Sequence, residues 1–310
     1  MTEVLRVGLA GAGVFGSFHA GKIAGAPGVL FSGVYDRDTE RAAMLAGKYG
    51  CPVPESHAAL FDASDTVIIA TPATTHALLV GEALRAGCHV LVEKPLALSA
   101  DDAIRLVEEA KARQLVLQVG HQERMVCAAL GLFDVEEIPI SIKAVRIGTP
   151  PQNQRCMDVS VIWDVMIHDL DIAHKLAGPG RELLSSRGEA LLGTEIDRAE
   201  ADLLLSSCRA SFVADRTAKD RQRLLEIEYE SGCVTMDLLN RSVHNTTRYT
   251  LKTDFSSLVS DPLGAADAAF IAACQGKGDP AAPAEEAAWA VASAERIEQM
   301  ALMHAGALHG

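Results

Sequence analysis

The first 16 residues contain a glycine pattern that few folds can accommodate. Val4–Ala10 is a largely apolar run, typical of a strand buried on both faces, and Gly11-x-Gly13-x-x-Gly16 follows it directly. The first glycine permits a tight turn, the second lets a phosphate approach the backbone, and the third lets a helix pack against the strand. The segment therefore predicts a strand, a glycine turn and a helix that begin a βαβ unit.

An acidic residue at a set distance from the glycine turn makes the pattern more specific. Asp36 follows a second apolar run, Leu30–Tyr35, and lies 20 residues after Gly16. A carboxylate there accepts hydrogen bonds from a ribose, while the N–H groups at the helix start bind the pyrophosphate of a dinucleotide. Asp36 would repel a 2′-phosphate and favours NAD, whereas Arg37 leaves NADP open. The residues expected to contact the dinucleotide here are Gly11, Gly13, Val14, Phe15, Gly16, Asp36 and Arg37.

Apolar runs alternate with helical stretches up to about residue 120. This alternation predicts a parallel sheet with right-handed crossovers, so residues 1–120 are interpreted as a doubly wound Rossmann domain of α/β class that binds NAD. The predicted strands after the second are Thr66–Ala70, His89–Glu93 and Leu115–Val119, and the predicted helices are Phe15–Ala24, Asp38–Tyr49, Thr75–Ala86 and Ala100–Ala112.

The remainder of the chain has a different pattern, in which short β-rich segments follow one another without helices between them. This succession predicts an open, mostly antiparallel sheet, and residues 121–310 are interpreted as an α+β domain. The β-rich segments are Ala201–Leu205, Arg209–Asp215, Leu224–Tyr229, Cys233–Asp237 and Arg248–Thr253. Helices are expected at Glu123–Leu132, Val161–Leu176, about Leu258–Cys274 and about 284–305, the last a candidate to pack back on the first domain.

The composition excludes several classes of protein. Lys and Arg number 28 against 41 Asp and Glu, a net charge of −13 that argues against nucleic-acid binding. The seven cysteines are scattered without a C-x-x-C pair, which argues against a disulfide framework and a metal site. No apolar run reaches the ~18 residues that span a bilayer, and the N-terminal sequence is unlike a secretory signal. We expect a reduced, cytoplasmic protein that binds neither nucleic acid nor a membrane.

Polar residues follow two further predicted strands of the first domain. Glu93-Lys94-Pro95 ends one, and Thr71-Pro72 ends another, with His76 close behind. The carboxyl ends of parallel strands face the ligand crevice of an open α/β sheet, so these residues are expected near the cofactor. Lys94 considered alone would be an ordinary surface lysine.

Several of these segments together resemble the Gfo/Idh/MocA family of NAD(P)-dependent oxidoreductases. The likeness rests on GAGVFG from Gly11, ATPATTH, EKP and, in the second domain, DVMIHDLD from Asp164. The resemblance implies that Lys94, Asp164 and His168 form a catalytic group, with His168 as the base for oxidation of a secondary alcohol on a sugar or cyclitol. Independently, Asp164 and His168 are spaced to share one face of a helix.

A narrower likeness involves Gly120–Arg124 and Val145–Gly148, which resemble segments of UDP-N-acetylglucosamine 3-dehydrogenases and related nucleotide-sugar members of the family. The chain departs from those members by lacking an Asn-Pro after Glu-Arg and a Gly-Pro-Phe-Pro-like stretch. Three arginines are candidates to bind a substrate diphosphate, or alternatively to form surface salt bridges: Arg124, Arg146 and Arg155. Asp169 and Asp171 are weaker candidates, either to orient His168 or to bind a substrate hydroxyl.

Three alternatives to nucleotide-sugar oxidation stay open at this point. The first is a dehydrogenase of a free sugar, an inositol or a sugar acid. The second is a non-catalytic dinucleotide-sensing regulator, against which the retained Lys94, Asp164 and His168 argue. The third is a structural protein that kept the fold. The resemblance also implies a homodimer or homotetramer formed through the C-terminal sheet.

Overall fold

The computed structural model describes residues 4–150, 157–180, 182–255 and 260–307. The chain forms two compact units, each built around its own sheet. The first contains Met1–Gln122 and Asp261–Ala288, and the second contains Glu123–Ser260 and Trp289–Gly310. The predicted fold class, a parallel α/β sheet followed by a mostly antiparallel one, is confirmed.

The first unit contains a parallel sheet whose strands are all close to their predicted bounds. They are β1 (Leu5–Ala10), β2 (Val29–Tyr35), β3 (Thr66–Ile69), β4 (His89–Val92) and β5 (Leu117–Val119). Their order across the sheet is β2-β1-β3-β4-β5. The connections change direction between β1 and β3, and in open α/β sheets ligands bind beyond the carboxyl ends of strands at such a point. The glycine turn follows β1, and Thr71 follows β3.

Helices connect these strands, and three of them start at a side-chain cap. They are α1 (Val14–Gly25), α2 (Thr39–Tyr49), α3 (His57–Asp62), α4 (His76–Arg85) and α5 (Ala100–Ala112). Asp38, Ser56 and Ser99 each accept a hydrogen bond of 3.1 Å from the N–H three residues further on, which fixes the starts of α2, α3 and α5. The sequence did not predict α3, because six residues are too few to show a helical period.

The second unit contains a sheet of order β12-β11-β10-β6-β9-β8-β7, in which only β6 and β9 pair in parallel. The strands are β6 (Ser141–Ile147), β7 (Glu182–Glu189), β8 (Arg198–Leu205), β9 (Cys208–Asp215), β10 (Gln222–Tyr229), β11 (Gly232–Asp237) and β12 (Ser242–Asn245). The expectation of a β-segment at Arg248–Thr253 is wrong. The edge strand is β12, and the Asn245 side chain donates to Tyr249 O at 2.7 Å, which turns the chain away from the sheet.

The remaining helices are α6 (Glu123–Ala129), α7 (Ile167–Ala177), α8 (Pro262–Cys274) and α9 (Ala284–Ala307). The predicted helix Val161–Leu176 is not uniform, because a π-helical turn, Ile162–Met166, precedes α7. Among the described residues, no helix is both long and apolar enough to cross a bilayer.

The chain does not divide at a single boundary near residue 120, contrary to the expectation from the sequence. Segment Asp261–Ala288 returns to the first unit, so residues 121–310 are not one contiguous domain, and α9 starts in the first unit and continues in the second. The return is held at the edge of the first sheet, where Val119 N donates to Ala282 O at 3.0 Å. The buried Gln118 side chain donates to Ala266 O at 3.0 Å and accepts from Ala281 N at 2.9 Å.

We predict that Gln118→Ala lowers the free energy of unfolding by about 1–3 kcal/mol, because it leaves the buried carbonyl of Ala266 and the part-buried N–H of Ala281 without their partner. Urea titration followed by circular dichroism measures the change. The matched control is Gln222→Ala, at an exposed position of β10, with an expected change within about 0.5 kcal/mol. Equal losses in the two variants would contradict the role given to Gln118.

Candidate active site

The glycine turn brings two backbone segments closer than any side chain would allow. Gly11 has φ +103°, and a Cβ there would lie 2.5 Å from Ala70 O at the end of β3. A Cβ on Gly16 would lie 1.9 Å from Gly11 O, so only glycine lets α1 pack against the turn. A Cβ on Gly13 would meet nothing within 4 Å, so this position is open. The close approaches predicted at Gly11 and Gly16 are present, while the phosphate contact expected at Gly13 stays a prediction.

The start of α1 and Asp36 offer the groups that a dinucleotide needs. No side chain in the described chain caps α1 at Gly13, and its first turn contains no acidic residue, so N–H groups are available to phosphate oxygens. Asp36 accepts from Ala12 N at 2.6 Å and from Asp38 N at 2.8 Å, which fixes its carboxylate beside the turn. Arg37 is exposed. Gly11–Gly16 and Asp36 fit NAD, and Val14 and Phe15 lie in the first turn of α1.

The Thr71-Pro72 segment is ordered by its own hydrogen bonds. The Thr71 and Thr75 hydroxyls are 2.7 Å apart, and Thr75 Oγ1 donates to Pro72 O at 2.7 Å. His76 is 1% exposed, and its ring nitrogens lie 2.6 Å from Pro95 O and 2.9 Å from Thr71 O. Burial lowers its pKa even though both carbonyls favour the charged ring. The prediction that His76 contacts the cofactor does not fit this enclosure; the ring instead joins the segments that follow β3 and β4.

Lys94 comes directly after Glu93 at the carboxyl end of β4, where it was predicted. Its side chain is half-buried, while Glu93 is only 6% exposed. The Glu93 carboxylate points inward, because Oε1 lies 3.2 Å from the buried ring of His19. The sequence suggested that Glu93 contacts a cofactor. In the structure, Glu93 is instead placed to support the chain beside Lys94.

Asp164 and His168 lie on consecutive parts of the second unit. Asp164 belongs to the π-helical turn and His168 to the first turn of α7, so the assumption of one regular α-helix through both is wrong. π-turns often occur at functional sites. Glu298 of α9 anchors this one, because it accepts from Trp163 Nε1 at 2.7 Å and from Ser160 Oγ at 2.5 Å.

Glu123 is a site residue that sequence reasoning missed. Its Oε2 lies 2.8 Å from His168 Nδ1, although the ring N–H is not well aligned with that oxygen. Burial alone would raise the pKa of the Glu123 carboxyl, but Arg146 and His168 outweigh burial and hold the pKa well below its usual range. Glu123 therefore stays ionised beside the imidazole. The signal in the sequence was its place in Gly120–Arg124, which said nothing about His168.

Two of the arginines expected to bind a diphosphate are committed to buried carboxylates. Arg146 is 5% exposed and donates to Asp169 at 2.9 and 2.6 Å and to Glu123 at 2.6 Å. Burial would lower its pKa, but both carboxylates together raise it. Arg124 is 2% exposed and donates twice to Asp171, at 2.6 Å each.

These pairings correct the roles expected for both arginines and both aspartates. Both guanidiniums are enclosed, and that of Arg146 is bonded to two carboxylates, so neither presents an open edge to a substrate phosphate. Asp169 and Asp171 are likewise bound to arginines rather than placed to orient His168 or to bind a hydroxyl. The third candidate, Arg155, lies outside the described residues.

Arg223 is the most exposed of the three arginines Arg124, Arg146 and Arg223. The sequence did not indicate it as a site residue. It lies opposite Arg146 in the pairing of β10 with β6, and its Nη1 is 3.7 Å from Glu123 Oε1, with 39% of the side chain exposed. Partial burial lowers its pKa, and the charge of Arg146 adds to that effect. Within the described ranges, no set of three or more His, Cys, Asp or Glu residues could hold a metal ion.

The comparisons with known proteins agree with these features. A family model described as an oxidoreductase family with an NAD-binding Rossmann fold, GFO_IDH_MocA, matches residues 5–121. The chain is 34% identical over 242 residues to the UDP-N-acetylglucosamine 3-dehydrogenase of Acidithiobacillus ferrooxidans, covering 77% of this chain and 76% of that protein. It is 35% identical over 191 residues to inositol 2-dehydrogenase 4 of Saccharopolyspora erythraea, covering 56% of this chain and 54% of that protein.

A solved structure extends the similarity to the whole chain. UDP-N-acetylglucosamine 3-dehydrogenase GnnA from Acidithiobacillus ferrooxidans matches with a TM-score of 0.86 and 30% identity, covering 97% of this chain and 98% of that one. The match therefore includes residues of both units. On this combined sequence and structural match, the chain belongs to the Gfo/Idh/MocA family of oxidoreductases with an NAD-binding Rossmann fold.

Proposed function

We propose that the chain is an NAD-dependent dehydrogenase that oxidises a secondary alcohol carbon of a nucleotide sugar, in the manner of UDP-N-acetylglucosamine 3-dehydrogenase. The observation that carries the proposal is the likeness to that enzyme along nearly the whole chain. The glycine turn and Asp36 support NAD as the cofactor, and the surroundings of His168 support a basic imidazole at the substrate.

In this proposal His168 is the general base. The Glu123 carboxylate at Nδ1 keeps a proton on that nitrogen, so Nε2 accepts the proton of the substrate hydroxyl. Lys94 donates a hydrogen bond to the same oxygen and stabilises the alkoxide that develops. Asp164 is, beside Glu123, a second carboxylate proposed to orient the His168 imidazole. Bound NAD supplies the hydride acceptor.

The burial of Arg124 and Arg146 favours a second candidate, oxidation of a free sugar or an inositol. Neither arginine offers an open edge to a diphosphate, and an inositol dehydrogenase is among the relatives. Arg223 supports the nucleotide-sugar proposal instead, because its partly exposed side chain lies 3.7 Å from Glu123, whose carboxylate also faces His168. The test is to incubate the protein and NAD with UDP-N-acetylglucosamine, N-acetylglucosamine and myo-inositol, and to follow NADH absorbance. Turnover of the UDP-sugar alone supports the proposal, and turnover of the inositol or free sugar alone supports the second candidate.

We also propose a cytoplasmic homodimer or homotetramer formed through the second sheet. Leu224, Val145 and Val213 are neighbours on adjacent strands of one face of this sheet, and each is only half-buried in a single chain. An apolar row of this kind is suited to a second copy of the chain. Light scattering coupled to size exclusion measures the assembly.

We predict that the protein binds NAD more tightly than NADP, because Asp36 repels a 2′-phosphate. Asp36→Asn keeps the shape of the side chain but removes its negative charge. The variant should bind NAD roughly tenfold more weakly and show a smaller preference for NAD over NADP. Calorimetry with both cofactors measures the dissociation constants. Asp62→Asn, at an exposed site in α3, is the control and should change the dissociation constant of neither NAD nor NADP. Tighter binding of NADP by the unmodified protein would mean that Arg37 governs the pocket.

We predict that Lys94→Met lowers kcat by about 10²–10³-fold, as expected for loss of a donor to a developing oxyanion. The NAD dissociation constant should stay within a few-fold, because the loss affects the chemical step. Lys111→Met, at an exposed site in α5, should leave kcat unchanged. Near-normal turnover in the Lys94 variant would return Lys94 to the class of ordinary surface lysines.

We predict that kcat/KM rises with pH through one ionisation, because only the neutral imidazole accepts a proton. His168→Ala should remove that rise and lower the rate by about 10²–10⁴-fold. An unchanged rate and pH profile in His168→Ala would contradict its role as the base.

A further inference from the structure

A buried histidine that the proposed mechanism does not use lies behind the segment of Lys94. His19 of α1 is 0% exposed. Its Nδ1 lies 3.0 and 2.9 Å from the two carboxylate oxygens of Asp267, and its Nε2 lies 3.2 Å from Glu93 Oε1. Asp267 belongs to α8, and Glu93 immediately precedes Lys94. One imidazole ring therefore connects α1, the end of β4 and α8 within the first unit.

The contacts of this ring determine its protonation. Both nitrogens face carboxylate oxygens, and a ring can donate from both nitrogens only as the imidazolium. Glu93 is 6% and Asp267 1% exposed, so a neutral ring would leave a lone pair against a carboxylate away from water. Burial lowers the pKa of His19, but the hydrogen bonds to Asp267 and Glu93 outweigh burial and raise it to about 9.

Other charged and titratable groups lie near the bridge. Lys22 of α1 pairs with Asp261 at the start of α8, and this pair is exposed rather than buried. The charge of Asp261 contributes to raising the pKa of Asp267. On the other side of Lys94, His76 of α4 lies against Pro95 O. The segment that carries Lys94 is thus flanked by a charged histidine before it and a neutral one after it.

Glu93 lies against Gly120. A Cβ on Gly120 would lie 2.7 Å from Glu93 Oε1 and 3.2 Å from Glu93 Cα, so a glycine next to β5 leaves space for the present position of this residue. The backbone is fixed at the same point, because Glu93 N donates to Ile69 O at 2.9 Å.

We propose that His19 is a positioning residue for Lys94: as an imidazolium between Glu93 and Asp267, it fixes the carboxyl end of β4 from which Lys94 extends. The catalytic consequence rests on the proposed function, whereas the bridge itself does not. The bridge is present near neutral pH and is lost as pH rises through about 9, since the deprotonated ring cannot donate to both carboxylates.

The bridge is tested first without any substrate. Nitrogen NMR of the full chain with labelled histidine, assigned through His19→Gln, should show both ring nitrogens of His19 protonated near neutral pH and a titration midpoint near 9. Asp267→Asn keeps the shape but removes one anion, so the midpoint should fall. A single protonated nitrogen on His19 near neutral pH overturns the proposal.

The effect on the Lys94 segment is measured by amide hydrogen exchange. In His19→Gln and Asp267→Asn, exchange at residues 92–96 should increase relative to the unmodified protein. Lys22→Gln is the matched control, because it removes the exposed link between the same two helices and should leave exchange at these residues unchanged. Unchanged exchange in both bridge variants, or an equal increase in the control, overturns the positioning role.

The catalytic consequence is measured as a split between kcat and KM on the substrate found by the NADH assay. Asp267→Asn should lower kcat by about 10–100-fold, the usual effect of a small misplacement, while the NAD dissociation constant and KM change little. A wild-type kcat in this variant, despite faster exchange, overturns the positioning role. If the NMR and exchange results are as expected and no sugar or inositol is oxidised, the proposed function fails and the bridge stands.

Discussion

The buried guanidinium of Arg146 holds together the part of the second unit that carries His168, the proposed base. It binds Asp169, the residue after His168, and it binds Glu123, whose other oxygen faces the His168 ring. The elements α6, β6 and α7, which carry Glu123, Arg146 and Asp169, are therefore joined by ion pairs as well as by packing. Removing one member of such a buried set typically costs about 3–5 kcal/mol, because the remaining charges are left uncompensated. The same enclosure that orders the base keeps Arg146 from acting on a substrate.

The first unit relies on backbone geometry where the second relies on charge. At the glycine turn, Gly11 and Gly16 permit a close approach that any Cβ would block, and Gly13 leaves open the space where a pyrophosphate is expected. Asp36 is held there by two backbone N–H groups, which fix its carboxylate beside the turn where a ribose is expected. After β4, side-chain contacts take the place of backbone geometry: buried ionic and polar contacts around His19 order the segment that carries Lys94.

The sequence predicted what local spacing encodes. The glycine turn, Asp36 and the strands of the first sheet follow from short-range patterns, and the structure places them as expected. The environment of His168 did not follow, because Glu123 and Arg146 are distant from it in the chain and no periodicity links them. Charged residues are rarely fully buried, so the usual expectation placed Arg146 at the surface or on a ligand, and its carboxylate partners could be found only from the fold.

The central claim is that this site moves a hydride from a sugar carbon to NAD while His168 takes the proton. Substrate labelled with deuterium at C3 of UDP-N-acetylglucosamine tests it most directly, by mass spectrometry of the reduced cofactor after a single turnover. The account predicts that the deuterium appears in the reduced nicotinamide of the unmodified protein, and that the same product forms far more slowly in His168→Ala. Reduced cofactor without deuterium, or no reduced cofactor with this substrate, would contradict the account.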